Sequence, residues 1–256
     1  MINKVSFKNS RNLTLVGSHW PASSSMIIIM PHASGSNRIA RGLFEKIALS
    51  LQKENYNVLT FDFSGHGESE YAVITLKKAV DDVTSAIAYV KVQGYERVAL
   101  FGHSLGAFAC LKAFTPVETM VLLGAVSGPV HWKWEEMCSP VQLNDLRKHG
   151  YVTADVNDGL RNIVNIDGKL LQEILEIDQE TLLQHVACPV LFIHGDADKQ
   201  ELDLVEFSKK ALNLLPQNSQ LHIIKGASHL FIDHVHEVVE LTKKWYLRYF
   251  PINFEF

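Results

Sequence analysis

The side chain with the clearest chemical potential in this sequence is Ser104, the centre of a Gly-His-Ser-Leu-Gly motif at residues 102–106. The motif directly follows an apolar segment that ends at Phe101 and directly precedes a segment with helical spacing. A serine on such a strand-to-helix turn needs small neighbours, because the turn packs tightly. The amides at the start of the following helix point to where negative charge would develop on a substrate oxygen. This pattern predicts that Ser104 is a nucleophile.

A serine hydroxyl is too weakly acidic to attack a carbonyl at neutral pH without a general base, and histidine commonly fills this role. The chain has 12 histidines. His229 lies between the last predicted strand and the last predicted helix, at the carboxyl end of the sheet, as Ser104 does. His103 and His194 also adjoin strand ends, and we interpret both as structural. We therefore predict His229 as the general base.

A carboxylate should bind the second imidazole nitrogen and fix the tautomer of the histidine. The loop after the seventh predicted strand offers Asp196 and Asp198. We expect Asp198 to be the partner of His229, because it lies further from the strand and can reach the His229 loop. An alternative role for these carboxylates is to cap the helix that begins near Glu201.

Eight apolar segments rich in β-branched residues and bounded by turn formers predict eight strands. From the third strand onward they alternate with helical segments, and the third to seventh are almost continuously apolar, which is typical of parallel strands covered on both faces. The first two predict an antiparallel hairpin at the sheet edge. The fold class is therefore α/β, with a mostly parallel sheet flanked by helices. The predicted strands are Lys4 to Phe7, Leu13 to His19, Met26 to Met30, Val58 to Phe63, Arg97 to Phe101, Thr119 to Leu123, Val190 to His194 and Gln220 to Ile224.

Residues 127–186 interrupt the alternation between the sixth and seventh predicted strands, and this stretch is far longer than an ordinary connection. Its apolar positions fit short amphipathic helices that lie over the sheet. We expect residues 1–256 to form a single domain, with residues 127–186 as a small, mostly helical cap. Trp132 and Trp134 either line a pocket or anchor the cap.

The chain order Ser104, Asp198, His229 and the strand layout with its insertion resemble the α/β-hydrolase family over nearly the whole chain. Residues 31–35, Pro-His-Ala-Ser-Gly, resemble the family's oxyanion loop, although Ala33 stands where the family usually has glycine. Residues 62–69 resemble its turn after the fourth strand, which we interpret as structural. The resemblance implies an oxyanion hole made by the backbone amides of Leu105 and Ser34.

The resemblance implies a serine hydrolase that cleaves carboxylic esters through an acyl-enzyme, similar to feruloyl or cinnamoyl esterases and monoacylglycerol lipases. Serine at position 104 argues against haloalkane dehalogenase and epoxide hydrolase chemistry, which uses a carboxylate nucleophile in this family. The same triad could act on a thioester, a lactone, an amide or a carbon-carbon bond. A non-catalytic binding protein on the same fold is the alternative from another class.

Charge and apolar patterns indicate where the protein acts and which partners it has. The formal charge is -4, and the 24 lysines and arginines are scattered, so nucleic acid is not an expected partner. The first ten residues lack a secretory pattern, and the most apolar short run, at residues 26–30, is too short to span a membrane. We expect a cytoplasmic protein that acts on a small-molecule ester. The sequence carries no pattern that predicts an oligomeric state.

No cofactor or metal is expected. The sequence contains no glycine-rich dinucleotide or phosphate signature. His234 and His236 are of a metal-binding residue type, but no carboxylate or cysteine cluster completes a ligand set with them. The three cysteines, Cys110, Cys138 and Cys188, show no metal-binding or redox spacing and are expected to be free thiols.

Overall fold

An eight-stranded sheet forms the centre of the protein, seen in a computed structural model that describes residues 1–113, 115–156 and 161–252. The eight strands predicted from sequence are the strands of this sheet, and two further strands pair separately. The strands are β1 (Asn3–Lys8), β2 (Thr14–Trp20), β3 (Met26–Pro31), β4 (Asn57–Phe61), β5 (Arg97–His103), β6 (Met120–Leu123), β7 (Tyr151–Asp155), β8 (Ile163–Asp167), β9 (Val190–Gly195) and β10 (Gln220–Ile224).

The large sheet has the order β1-β2-β4-β3-β5-β6-β9-β10. Strand β2 pairs antiparallel with both β1 and β4, whereas the pairs from β4 to β10 are parallel. The predicted edge hairpin and the predicted parallel sheet are both confirmed. In a parallel sheet the carboxyl ends of the strands share one edge, so the loops after β3, β5, β9 and β10 meet there.

Helices cover both faces of the sheet. The helices of the described residues are α1 (Leu43–Lys53), α2 (Leu76–Val92), α3 (Leu105–Lys112), α4 (Trp134–Met137), α5 (Pro140–His149), α6 (Leu170–Leu175), α7 (Gln179–Leu183), α8 (Lys199–Ala211) and α9 (Val235–Tyr249), with short 3-10 turns at Ala40–Gly42 and Ile232–His234.

Side-chain alternation along the strands divides the core into two apolar layers. In β3, Ile27 and Ile29 pack in the layer that includes α2, α3 and α8. Ile28 and Met30, between them, pack in the opposite layer with α1 and α9. Because both layers are buried, a central strand has no polar face, which explains the continuous apolar runs in the sequence.

The segment between β6 and β9 carries helices α4 to α7, but it also contains the antiparallel pair β7 and β8. The expectation of a mostly helical segment is therefore wrong in this part. Strand β8 also contacts the main body, because the Ile74 amide donates to the Asn165 carbonyl at 2.9 Å and the Asp167 amide donates to the Ile74 carbonyl at 3.0 Å. Residues 157–160 of the predicted cap lie outside the described residues.

The turn at residues 62–69 is held by buried charge. The carboxylate of Asp62 is fully buried and accepts from the backbone amides of Arg38 at 2.7 Å and Glu68 at 3.0 Å. The Arg38 guanidinium binds the carboxylates of Asp62 and Glu68. A Cβ atom at Gly67, where φ is +47°, would lie 2.2 Å from the Asp62 carboxyl carbon, so glycine is required there. These contacts agree with the interpretation of the turn as structural.

Candidate active site

Ser104 lies on a strained turn between β5 and α3, with φ +53° and ψ -111°. A non-glycine residue at positive φ costs on the order of 1 to 3 kcal/mol and persists only where its surroundings enforce it. Here the flanking glycines are needed for space. A Cβ atom on Gly102 would lie 2.6 Å from the Ala107 Cα atom, and one on Gly106 would lie 2.1 Å from the Pro31 carbonyl oxygen. The motif therefore forms the tight turn that the sequence predicts.

The imidazole of His229 contacts both Ser104 and a buried carboxylate. Its Nε2 atom lies 2.9 Å from the Ser104 Oγ atom, within hydrogen-bond distance. Its Nδ1 atom forms a short hydrogen bond with the Glu201 Oε1 atom. The His229 side chain is 13% exposed and the Glu201 side chain is fully buried, so the imidazole is reachable from solvent and the carboxylate is not. The structure thus brings Ser104 and His229 together as predicted.

The expected contact between Asp198 and the His229 ring is wrong. The Asp198 Oδ2 atom accepts from the backbone amide of His229 at 2.8 Å, and its Oδ1 atom accepts from the backbone amide of Glu201 at 2.8 Å. Asp198 is the N-cap of α8, and Glu201 is the third residue of that helix. Asp198 therefore has the helix-capping role that the sequence left open. Its two hydrogen bonds position the loop that carries His229 and the first turn of α8, which carries Glu201. Asp196 accepts from the Gly226 amide at 2.6 Å.

The second oxygen of Glu201 is also occupied. Its Oε2 atom lies 2.8 Å from the His194 Nδ1 atom and accepts from the Gly195 backbone amide at 2.9 Å. Burial by itself would raise the pKa of this carboxyl, but hydrogen bonds from His194 and His229 outweigh burial and lower the pKa to about 2. Glu201 is therefore an anion at neutral pH. Gly124, at φ +54°, leaves room for the pair, since a Cβ atom there would lie 2.8 Å from both Glu201 and His229.

The two histidines interpreted as structural lie behind this pair. The His194 Nε2 atom lies 2.9 Å from the Ser208 Oγ atom, so both ring nitrogens have partners. The His103 Nε2 atom donates to the backbone carbonyl of His229 at 2.9 Å. Burial lowers the pKa of His103 to about 3, so the ring is neutral and its Nε2 atom carries the hydrogen. Both side chains position the loop and carboxylate around His229.

The loop after β3 lies against the serine turn. The Gly106 amide donates to the His32 carbonyl at 3.1 Å, and the His32 Nε2 atom accepts from the Phe63 amide at 3.1 Å. Ala33 is not among the described residues with positive φ, whereas Gly35 has φ +68°. The methyl group that replaces the family's usual glycine therefore fits this loop without backbone strain.

An apolar cavity of about 110 Å³ opens beside the serine. Ser104, Leu105 and Ser34 all line it, so the structure brings the two predicted oxyanion residues next to the predicted nucleophile. Apart from Ser34, Ser104 and Gln200, its described lining residues are apolar. An apolar cavity of roughly 150 Å³ can hold a benzene-sized group, so this one fits a small uncharged group.

The segment between β6 and β9 provides most of the cavity wall. Leu170, Leu171 and Ile174 of α6 line it, and so do Trp132 and Trp134. The Trp134 Nε1 atom donates to the Gly168 carbonyl at 2.8 Å, and the Trp132 Nε1 atom donates to Asp203 at 3.3 Å. Both tryptophans therefore line the pocket. Trp132 also anchors the segment to α8, whereas the Trp134 bond joins two parts of the segment itself.

The described residues contain neither a metal-binding group of side chains nor a membrane-spanning helix. No group of three or more histidine, cysteine, aspartate or glutamate side chains there is placed to hold a metal ion. None of the helices in the described part of the chain is both long and apolar enough to cross a bilayer.

With this geometry in place, comparison with solved structures identifies the architecture. An α/β hydrolase, GrgF from a Penicillium species, superposes with TM-score 0.77 at 16% identity, covering 98% of this chain and 100% of that one. Est1E from Butyrivibrio proteoclasticus, solved with ferulic acid, gives TM-score 0.75 at 19% identity, with 97% and 100% covered. The Pyrococcus furiosus esterase Pf2001 gives 0.74 at 18%, with 97% and 91% covered. The chain has the α/β-hydrolase fold, as its sequence predicts.

A protein-family model matches only part of the chain. Residues 33–157, slightly less than half of the chain, match the family model described as serine aminopeptidase, S33. No curated protein matches the chain in sequence. The matched region contains the loop after β3 and the serine turn, but it ends before Glu201 and His229.

Proposed function

We propose that the protein is a serine hydrolase that cleaves carboxylic esters through an acyl-enzyme. The observation that carries this proposal is the continuous chain of contacts from the Ser104 Oγ atom through the His229 imidazole to the buried Glu201 carboxylate. The chain borders an apolar cavity that can hold an acyl group. Nucleophile, base and orienting acid are thus assigned to Ser104, His229 and Glu201, with Glu201 in the place first expected for Asp198.

In the proposed reaction, Ser104 attacks the ester carbonyl while the His229 Nε2 atom takes its proton. The Glu201 anion holds the hydrogen on Nδ1 and stabilises the imidazolium that forms. The backbone amides of Leu105 and Ser34 bind the oxygen that becomes negative. His229 then protonates the leaving alcohol, and water releases the acid by the same steps in reverse. The mechanism requires no cofactor.

The cavity favours an ester over the amine-bearing substrate of an aminopeptidase. Recognition of a free ammonium group requires a carboxylate or several acceptors at the binding site. The described residues that line the cavity carry no charge. One of the similar structures, Pf2001, is an esterase, which supports the same choice. Thioesters, lactones, other amides and carbon-carbon bonds remain competing substrates for the same nucleophile.

The rival proposal of a non-catalytic receptor has less support. A receptor has no chemical need for a strained serine within 2.9 Å of an imidazole. It also has no need for a buried anion that holds the other ring nitrogen. Backbone strain of the kind seen at Ser104 is costly and tends to cluster at catalytic sites and ligand clamps.

The decisive experiment compares the wild type with Ser104→Ala on p-nitrophenyl esters of graded acyl length, both variants being confirmed folded. We expect wild-type turnover and a loss of roughly a thousandfold or more in kcat for Ser104→Ala. Ser228→Ala is the matched control, because Ser228 is exposed and directly precedes His229. A fluorophosphonate probe should label the wild type and the control but not Ser104→Ala.

Three outcomes would contradict the proposal. Equal activity in the wild type and Ser104→Ala would exclude Ser104 as the nucleophile. Labelling without turnover of any ester, combined with turnover of acyl-thioesters, would replace the ester assignment by a thioesterase. Absence of labelling in folded wild type would favour the receptor.

A further inference from the structure

A second crevice, of about 280 Å³, opens beside the proposed catalytic pair and has a different character from the apolar cavity. We call it the Arg41 crevice. The residues that matter for its chemistry are Ser34, Gly35, Arg41, Leu43, Leu230 and Ile232.

The Arg41 crevice and the apolar cavity meet at Ser34, which lines both. The apolar cavity includes Ser104 itself, whereas the crevice includes His103 and Leu230, the chain neighbours of Ser104 and His229. An ester carbonyl held at Ser104 can therefore extend its two substituents into two separate spaces. With the acyl group in the apolar cavity, the Arg41 crevice is the space left for the alcohol part.

Arg41 is the source of charge in this crevice. Its side chain is exposed, and none of the hydrogen bonds or ion pairs found in the described residues involves it. Arg38, three residues earlier, differs in this respect because Asp62 and Glu68 bind its guanidinium. The only other ionisable lining residue is His103, which burial keeps neutral. The crevice is therefore positive at neutral pH.

The backbone presents Arg41 in an uncommon conformation. Ala40 and Arg41 have consecutive positive φ angles of +48° and +53°. Such angles are rare outside glycine, and they tend to cluster at binding and catalytic sites. Leu230 and Ile232, which line the same crevice, are 46% and 45% exposed and provide apolar surface there. One unpaired guanidinium beside exposed aliphatic side chains suits a ligand with an apolar body and an anionic end.

We propose that the Arg41 crevice binds the alcohol part of the substrate and selects alcohols that bear a carboxylate. This inference rests on the proposed ester hydrolysis and names the leaving group it favours. The guanidinium binds a carboxylate through paired hydrogen bonds, which are stronger than neutral ones. The reaction itself is unchanged: water cleaves the acyl-oxygen bond, and the alcohol leaves with the proton from His229 while its carboxylate stays bound to Arg41.

The test uses two esters with the same butanoyl group. In the first, the leaving phenol is 4-hydroxybenzoate, and in the second it is the neutral 4-hydroxybenzamide, which has the same shape. For the wild type we expect kcat/KM to be about tenfold higher for the carboxylate, chiefly through a lower KM. Arg41→Gln should remove this preference and leave kcat/KM for the amide within about twofold. Arg41→Glu should invert the preference.

Two further variants keep the test independent of folding. Arg41→Gly suits the positive φ at this position and should also lose the preference while remaining folded. Lys46→Gln removes one positive charge on the next turn of α1, outside the crevice, and should keep the wild-type preference. Equal use of both esters by the wild type, or an unchanged preference in Arg41→Gln, would overturn the inference while ester hydrolysis stands. Failure to cleave either ester, with Ser104→Ala no different, would instead overturn the proposed function.

Discussion

The carboxyl edge of the sheet and the segment between β6 and β9 contribute to the candidate site in different ways. At the edge, both oxygens of Glu201 and both ring nitrogens of His229 have partners, and most of these groups are buried. The segment contributes chiefly apolar side chains to the cavity and is joined to the main body by several hydrogen bonds, such as the one from Arg161 to the Ser69 carbonyl at 2.7 Å. Under the proposed function, the edge supplies the chemistry and the segment selects the acyl group.

The largest effect expected at the carboxyl edge is a loss of kcat, and it distinguishes Glu201 from Asp198. Glu201→Gln should reduce kcat by roughly a hundredfold to ten-thousandfold, because an amide can present the wrong tautomer of His229 to Ser104. Asp198→Asn should reduce kcat by about tenfold or less, because the Asp198 side chain binds backbone amides rather than the ring. The measurement is kcat on the best p-nitrophenyl ester for each variant.

The two variants also differ in stability. Asp198→Asn keeps an oxygen for the helix cap, because asparagine caps helices about as well as aspartate, but it loses the acceptor for the His229 backbone amide. It should therefore lower the free energy of unfolding by about 1 kcal/mol, as measured by urea denaturation. If Asp198→Asn instead lost as much kcat as Glu201→Gln, the assignment of the acid would return to Asp198.

A smaller effect is expected in the segment. Leu171→Phe adds volume to the wall of the apolar cavity and should lower kcat/KM for the longer acyl esters by about tenfold, with little change for the acetyl ester. Leu143→Phe, on α5 of the same segment and away from the cavity, is the control. The full series of acyl lengths would be measured for each variant. A uniform loss across the series would mean that the segment supports the chemistry as well as the choice of acyl group.

The smallest effect expected is a change in how strongly the free energy of unfolding depends on pH. Buried histidines near the carboxyl edge of the sheet should cause this dependence. Burial lowers the pKa values of His32, His66 and His103 to about 3. The unfolded chain binds protons at these histidines below pH 6.5 while the folded protein does not, so stability is full above 6.5 and falls as the pH drops towards 3. Each histidine contributes up to about 1.4 kcal/mol per pH unit. The depressed pKa of Glu201 adds a further loss from about pH 4.5 towards 2.

The measurement is the free energy of unfolding in urea at pH 7.5, 6.5 and 5.5. His66→Phe should reduce the slope of this free energy with pH by the contribution of about one bound proton. A phenyl ring is a suitable replacement, because His66 is buried and its ring packs near Phe63 and His32. His149→Gln, an exposed position in the segment, should leave the slope unchanged. Equal slopes in all three proteins would contradict the assignment of acid sensitivity to the edge.

The sheet and the Ser104 turn could be predicted because local signals determine them. Strands buried on both faces are continuously apolar, and a glycine on either side of Ser104 is required by backbone contacts that only a tight turn produces. His229 could also be predicted, because its position after the last strand places it at the carboxyl edge. These features depend on residues close together in the sequence, or on the regular order of strands and helices.

Glu201 and the hairpin were not predicted, for different reasons. Asp198 and Glu201 are spaced as an N-cap and the third helical residue, a pattern that was visible, but which of the two carboxylates faces the ring depends on where the helix begins in space. In β7 and β8, the alternation of Tyr151 to Asp155 and Ile163 to Asp167 was a strand signal of period two. Ile163 was instead assigned to a helical pattern, which short apolar runs fit equally well.

The position of Glu201 on the first turn of α8 has a consequence for how this protein can tolerate insertions. A residue added within the loop at 196–197 would disturb the hydrogen bonds from Gly226 to Asp196 and from Ala197 to Ala227, but it would leave the spacing between Asp198 and Glu201 unchanged. One added between Asp198 and Glu201 would rotate the carboxylate by about 100° around the helix axis, away from His229. The length of this three-residue interval is therefore constrained by helical periodicity, and sequence variation in related chains should avoid it while it is accepted a few residues earlier.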